Sequence, residues 1–198
     1  MSTKEALIIF IRNPELGKVK TRLAQRLGDE KTLQIYEALL GHTRKIALRL
    51  NVSRWLFYSH FIDLEDNWSN EAFLKRLQVE GDLGQKIRSG FEQAFQEHDK
   101  VLIIGSDCAS LTAQIVQDGF DALDRDDFVL GPALDGGYYL LGMRQYTASL
   151  FEGIPWSTEE VAKLTLAKIE AMGASCHLLP ALSDIDYAED WEKYGWEL

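Results

Sequence analysis

The chain has 198 residues and a net charge of −10, with 46% hydrophobic and 26% charged residues. Such length and composition suit one folded domain covering residues 1–198. The acidic balance argues against nucleic-acid partners, and no run of about 18 apolar residues offers a membrane span. Two cysteines, Cys108 and Cys176, make neither a disulfide framework nor a zinc site. The first apolar stretch, Ala6–Ile11, is too short for the core of a secretion signal, so a cytoplasmic location is expected.

Ala6–Ile11 reads as a strand buried on both faces. Pro14 and Gly17 make the next stretch a turn-rich loop. Arg12, Lys18, Lys20, Arg22 and Arg26 fall close together there, with Glu15 the only acid among them. Gly17 permits close backbone approach, and a loop leading into a helix offers N–H groups to an anion. The loop therefore suits a phosphate or diphosphate, although it is neither a Walker motif nor a G-x-G-x-x-G loop. A helix from about Glu30 to Leu50 carries the stripe Ile35, Leu39, Thr43, Ile46, Leu50. Arg54–Tyr58 reads as a strand, with His60 at its end.

Leu64–Leu77 reads as a helix and Gln78–Glu80 as a short strand. Gly81-Asp82-Leu83-Gly84 is a sharp turn before a helix with Leu83, Ile87, Phe91 and Phe95 on one side. Asp82 is the natural cap of that helix, with ligand contact as the other role open to it. Val101–Ile104 reads as a central strand, followed by Ser106-Asp107 and a helix over Leu111–Leu123. An acid at the carboxyl end of a central strand sits where open α/β sheets bind ligands; the alternative is that Asp107 caps the next helix. Asp127–Leu130 is a further strand. It runs into Gly131-Pro132-Ala133-Leu134-Asp135-Gly136-Gly137 and the strand Tyr138–Met143. Ser157 or Thr158 caps a helix over Glu159–Met172, Trp156 packs in the core or walls a pocket, and Ser175–Leu179 is a last strand. Asp184-Ile185-Asp186 precedes a final helix, Ala188–Tyr194. Strands alternate with helices throughout, which predicts a three-layer α/β/α fold with a mostly parallel, mixed sheet.

Loops after strands thus carry acid, glycine and base, the set that a divalent metal and a polyphosphate require. Mg²⁺ takes oxygen ligands, often only one or two of them carboxylates, with phosphates completing the shell. Asp107 and Asp186 are the natural pair of metal acids.

Several pieces together resemble the nucleotide-diphospho-sugar transferase superfamily, of Rossmann-like GT-A fold. Within it they resemble a bacterial family of small proteins regarded as glycosyltransferases of unassigned function. They are Arg12-x-Pro14-x-x-Gly17-x-x-Lys20-Thr21-Arg22-Leu23, Gly81–Gly84, Gly105-Ser106-Asp107-Cys108, Gly131–Tyr139, Trp156-Ser157-Thr158 and Asp184-Ile185-Asp186. The resemblance implies a nucleotide-phosphate loop at Arg12, Gly17, Lys20, Thr21 and Arg22, with Asp82, Gly136 and Gly137 as further nucleotide contacts. It implies Mg²⁺ or Mn²⁺ on Asp107 and Asp186, and Asp107 and Asp135 as catalytic residues. Tyr187-Ala188 stands where relatives commonly have Thr-Pro. The expected activity is metal-dependent glycosyl transfer from a nucleotide-diphospho-sugar to a small-molecule acceptor. Nucleotidyl transfer on the same fold, releasing pyrophosphate, is one alternative, and a non-catalytic nucleotide-binding module is another. A phospho-receiver is disfavoured because the first strand ends in Arg12-Asn13 without an acidic pair.

Overall fold

The computed structural model describes residues 4–198. The elements run β1 (Glu5–Ile11), α1 (Thr21–Leu27), α2 (Asp29–Leu48), β2 (Ser53–Tyr58), β3 (Leu74–Leu77), α3 (Leu83–Ala94), β4 (Lys100–Ile104), α4 (Ala113–Ala122), β5 (Phe128–Pro132), β6 (Tyr138–Met143), α5 (Val161–Ala171), β7 (Cys176–Leu178) and α6 (Ala188–Tyr194). A 3₁₀ turn covers Ala148–Phe151. The seven strands form one sheet in the order β3-β2-β1-β4-β6-β5-β7. β6 is antiparallel to both its neighbours, and the other pairings are parallel. This is the mixed, mostly parallel α/β architecture of the GT-A type.

Alternation along the strands explains the layers. In β1, Leu7 and Ile9 face one apolar cluster, while Ala6 and Ile8 face the other. The first cluster takes in Tyr36, Leu40 and Ile46 of α2 and Val116 and Phe120 of α4. The second takes in Ile87 and Phe91 of α3 and Ala162 and Ile169 of α5. Every residue of β4 is buried, so its polar continuation emerges only at its carboxyl end. A third, smaller cluster joins Leu23 of α1, Ile35 and Leu39 of α2, Ala109, Ile185 and Ala188. It lies under the loops that carry the site.

Three sequence expectations are corrected. The helix over Leu64–Leu77 does not form; bends and turns lead instead into β3, and Gln78–Glu80 is not a strand. Side chains there capture the backbone groups that a helix would need. Asp63 accepts from Glu65 N–H at 2.9 Å, Asp66 from Trp68 N–H at 2.9 Å, and Ser69 Oγ from Glu71 N–H at 3.3 Å. The third correction concerns α5, which starts at Val161 with no side-chain cap. Thr158 instead donates to Pro155 O at 2.8 Å, and Ser157 sits at φ 65°. The Ala162 N–H is satisfied by Gly136 O at 2.9 Å.

The irregular 61–73 segment is anchored by a buried charge. The Lys75 ammonium, whose side chain is 4% exposed, contacts Asp66 at 2.7 Å and donates to Asp63 O at 2.6 Å. Tyr58 donates to the same Asp66 at 2.5 Å. Removing one partner of such a pair leaves an uncompensated charge, which costs about 3 kcal/mol. Asp66→Ala should therefore lower the unfolding free energy by about that amount in urea titrations followed by circular dichroism. A loss within about 0.5 kcal/mol, the range of ordinary surface substitutions, would mean that the ammonium does not depend on Asp66.

Candidate active site

The site lies at the carboxyl end of β4. Asp107 follows the strand directly and is not a helix cap: Thr112 caps α4, accepting from Ile115 N–H at 3.2 Å. Its partner arrives from the far end of the chain. Ile185 is fully buried in the third cluster and its N–H donates to Asp107 O at 2.9 Å. Asp184 and Asp186 flank this buried residue, and both line the cleft.

Lys20 closes the arrangement. Its ammonium lies 2.7 Å from Asp107 Oδ2 and 2.9 Å from Asp186 Oδ1, with the Lys20 side chain only 10% exposed. The Lys20 backbone is left-handed, at φ 45° and ψ 48°, a conformation that costs a residue other than glycine roughly 1–2 kcal/mol. Arg22 approaches Asp186 Oδ2 at 3.5 Å and lies over the Tyr187 ring at 5.7 Å. Burial pulls the Lys20 ammonium down, but the Asp107 and Asp186 charges more than reverse this and leave its pKa raised. Burial likewise pushes the Asp107 carboxyl up, and the Lys20 and Arg12 cations carry it below the ordinary range. Burial pushes the adjacent Cys108 thiol up to about 12, so it stays protonated and is no nucleophile.

Two cavities meet here. A cleft of about 990 Å³ is lined by Arg12, Lys18, Lys20, Thr21 and Arg22 on one wall and by Leu83, Gly137, Tyr138 and Trp156 on another. A second, of about 570 Å³, is lined by Leu134, Glu189, Lys193 and Tyr194 among others. Arg22, Asp135, Asp184 and Asp186 border both. These volumes match small-ligand sites. The glycine of Gly81–Gly84 and the Trp156 motif meet across the cleft wall. A Cβ on Gly84 would lie 2.1 Å from the Trp156 indole nitrogen, so Trp156 is a pocket wall packed on the first turn of α3.

Of the other residues of interest, Gly17, Arg26, Asp82 and Gly136 fall outside the cleft. Asp82 is the N-cap of α3 in a capping box with Gln85, and its carboxylate is occupied by that role. Gly17, at φ 72°, turns the loop beside Asp29. Gly136, at φ 91°, lies so close to the Glu159 backbone that a Cβ would clash at 2.1 Å; it joins two loops rather than lining the cavity. Arg26 points to α6, where it pairs with Glu189 and Glu192, and Lys18 pairs with Glu15 at 2.7 Å. Among the described residues Arg12 forms no ion pair within 4.0 Å, which leaves it available to an anion. Asp135 is exposed and accepts from Gly137 N–H at 2.9 Å. The cleft wall also holds Tyr36, a residue with no sequence signature. Its hydroxyl accepts from Arg12 N–H at 2.9 Å and donates to Arg12 O at 3.1 Å.

Asp184 was also missed as a site residue, although its D-x-D spacing signalled it. Its Oδ1 is buried without a hydrogen-bond partner. Burial, then the Asp107 charge, push its carboxyl well above the ordinary range despite Lys20. Oxygen donors of this kind suit a hard divalent cation. Yet no three His, Cys, Asp or Glu side chains among the described residues are arranged as a cage for a metal ion. Asp107 and Asp186 would hold Mg²⁺ or Mn²⁺ only with further oxygens from a ligand. An acid whose folded pKa is raised destabilises the fold above that pKa and not below its unfolded value. Asp184→Asn should therefore raise the melting temperature near neutral pH, and the gain should vanish by about pH 3, below the ordinary carboxyl range. A melting curve unchanged at neutral pH would mean that the Asp184 charge is compensated.

No curated protein matches this sequence, whereas solved structures do. A provisionally assigned nucleotide-diphospho-sugar transferase from Desulfovibrio desulfuricans G20 is 29% identical and superposes with a TM-score of 0.85, covering 94% of this chain and 84% of that one. The inositol-1-phosphate CTP transferase of T. maritima shares the fold at 14% identity and a TM-score of 0.63, over 96% of this chain and 92% of its own. Rv0371c of Mycobacterium tuberculosis H37Rv, solved in complex with manganese, shares it at 12% identity and a TM-score of 0.58, over 98% of each chain. The fold thus lies among those of transferases of this architecture. Residues 42–158 match the family described as an uncharacterized protein conserved in bacteria, DUF2064, and the chain belongs to that family.

Proposed function

We propose that this protein is a metal-dependent glycosyltransferase that takes a nucleotide-diphospho-sugar donor and a small hydroxyl-bearing acceptor. The observation that carries the reading is the convergence of Asp107 and Asp186 on a cation in the larger cleft, with Asp186 also bordering the smaller cavity. In this reading the larger cleft takes the nucleotide, with Arg12 and Arg22 near its phosphates and Trp156 against its apolar part. Asp107 and Asp186 would hold Mg²⁺ or Mn²⁺, which would supply positive charge against the departing diphosphate. The smaller cavity takes the acceptor. Its hydroxyl oxygen attacks the anomeric carbon, the bond from that carbon to the diphosphate oxygen breaks with its electron pair, and Asp135 receives the hydroxyl proton.

Nucleotidyl transfer is the second reading. The cations lining the larger cleft suit a triphosphate, and the T. maritima neighbour is a CTP transferase. In the version of that chemistry where a phosphate or carboxylate is the attacking group, the acceptor is an anion. The acceptor cavity is bordered by the acids Asp135, Asp184, Asp186, Glu189 and Asp190 against the cations Arg22 and Lys193, an excess of acid that opposes an anionic acceptor. This is why glycosyl transfer is preferred. Product analysis separates the two: a free nucleoside diphosphate supports the first, and pyrophosphate the second.

Two substitutions test the assigned roles. Asp107→Asn should abolish the enhancement of nucleotide binding by Mn²⁺ while preserving metal-free binding, as read by calorimetric titration. Equal enhancement in both proteins would remove Asp107 from the metal site. Asp135→Asn should lower turnover by roughly 100-fold, the scale of lost general-base catalysis, with nucleotide affinity nearly unchanged. Full turnover in that variant would exclude Asp135 as the proton acceptor.

A further inference from the structure

The lysine between the two acids has a consequence for how the site is loaded. A cation already bridges Asp107 and Asp186, and it belongs to the protein. Its contacts are 2.7 Å and 2.9 Å. The Lys20 side chain is 10% exposed, whereas those of Asp107 and Asp186 are 35% and 36% exposed. Both carboxylates are therefore open to the cleft while the ammonium sits beneath them. Lys20 reaches this position from a left-handed backbone, and such local strain persists only where surrounding contacts enforce it.

We propose that the Lys20 ammonium is an exchangeable counter-ion: it holds Asp107 and Asp186 together in the nucleotide-free protein, and it gives up the two carboxylates to a divalent cation when a nucleotide phosphate offers it another anion. The proposal rests on the reading of the site as a metal–nucleotide centre. Two cations cannot share the pair closely, because a monovalent and a divalent charge a few ångströms apart repel strongly at low dielectric. Lysine suits exchange because its charge is compact and carried on a flexible stem. Arg12 and Arg22 border the same cleft, so a phosphate entering there meets positive charge on both sides of Lys20 in the sequence. Asp184, with its unpartnered oxygen, stands next to the pair on the acceptor side.

Exchange makes metal and nucleotide binding interdependent through one side chain. Metal alone must displace Lys20 with no anion to receive it. Nucleotide alone draws Lys20 off and leaves two carboxylates unneutralised. Together the two ligands satisfy every charge, so each tightens the other.

The test uses the full chain and Mn²⁺ as probe, followed by paramagnetic resonance of the unbound ion and by calorimetry, first alone and then with saturating CDP or UDP. Lys20→Met should bind Mn²⁺ roughly tenfold or more tightly than wild type without nucleotide, and the further gain on adding CDP or UDP should shrink by a similar factor to the part that phosphate oxygens on the ion supply. Lys20→Gly, which tolerates the left-handed backbone, should behave alike and covers a failure of the Met variant to fold. Lys18→Met removes a charge of the same loop that is paired with Glu15, and it should leave Mn²⁺ affinity near wild type. Adding Asp107→Asn to Lys20→Met should erase the gain. Equal Mn²⁺ affinity in wild type and folded Lys20 variants would overturn the exchange while leaving the metal–nucleotide site intact. An equal gain in Lys18→Met would also overturn it, by reducing the effect to general charge. Absence of Mn²⁺ binding in all variants, even with CDP and UDP, would overturn the metal–nucleotide reading itself.

Discussion

Ile185 sets the site. Its side chain has no exposure and its N–H is bonded to the Asp107 carbonyl at 2.9 Å. Burial of a side chain this size stabilises by about 1.5–3 kcal/mol, and the hydrogen bond adds direction. One residue thereby fixes the C-terminal segment against the loop after β4. Asp184 and Asp186 flank it and line the cleft that also holds Asp107. The charges do not assemble themselves; three carboxylates would repel. Apolar packing in the third cluster, with Leu23, Ile35, Leu39, Ala109 and Ala188, forces them together.

The consequence is a site that carries electrostatic tension by construction. Lys20 relieves most of it at Asp107 and Asp186, at the expense of a left-handed backbone. Asp184 is left with a raised pKa and an unpartnered oxygen. Perturbed carboxyls beside a cleft are a mark of functional sites, and here their causes are burial and like charge. Neutral wall is supplied by Trp156 on Gly84 and by the Tyr36 hydroxyl tied to the backbone of Arg12, beside the cations Arg12, Lys18 and Lys86. That combination divides the region into a basic cleft and an acidic cavity with a shared border.

Much of this was legible from the residues. Period and punctuation located the strands at β1, β2, β4 and β6 and the long helices, because apolar burial imposes its spacing on sequence whatever the tertiary partners are. The layered α/β fold followed from strand–helix alternation, and Asp107 and Asp186 stood out as acids beside strand-like segments. The false helix at 64–77 shows the limit. Its apolar residues fit a helical spacing, but Asp63, Asp66 and Ser69 bond local backbone, and the buried Lys75 of the same stretch reaches back to Asp63 and Asp66 and holds the irregular form.

The sequence by itself determined which segments are apolar enough to be buried, where the chain turns, and which loops concentrate base, acid and glycine. These are local properties, set by side-chain chemistry and short-range sterics. Only the tertiary structure decided which charges meet. It sent Lys20 to two acids, turned Arg26 away to α6, made Gly136 a packing contact, and brought Asp184 to the border of both cavities. The physical reason is distance: Lys20 and its carboxylate partners are separated by 87 and 166 positions in the chain, and a Coulomb interaction acts across space, which only the packed core brings down to bonding range.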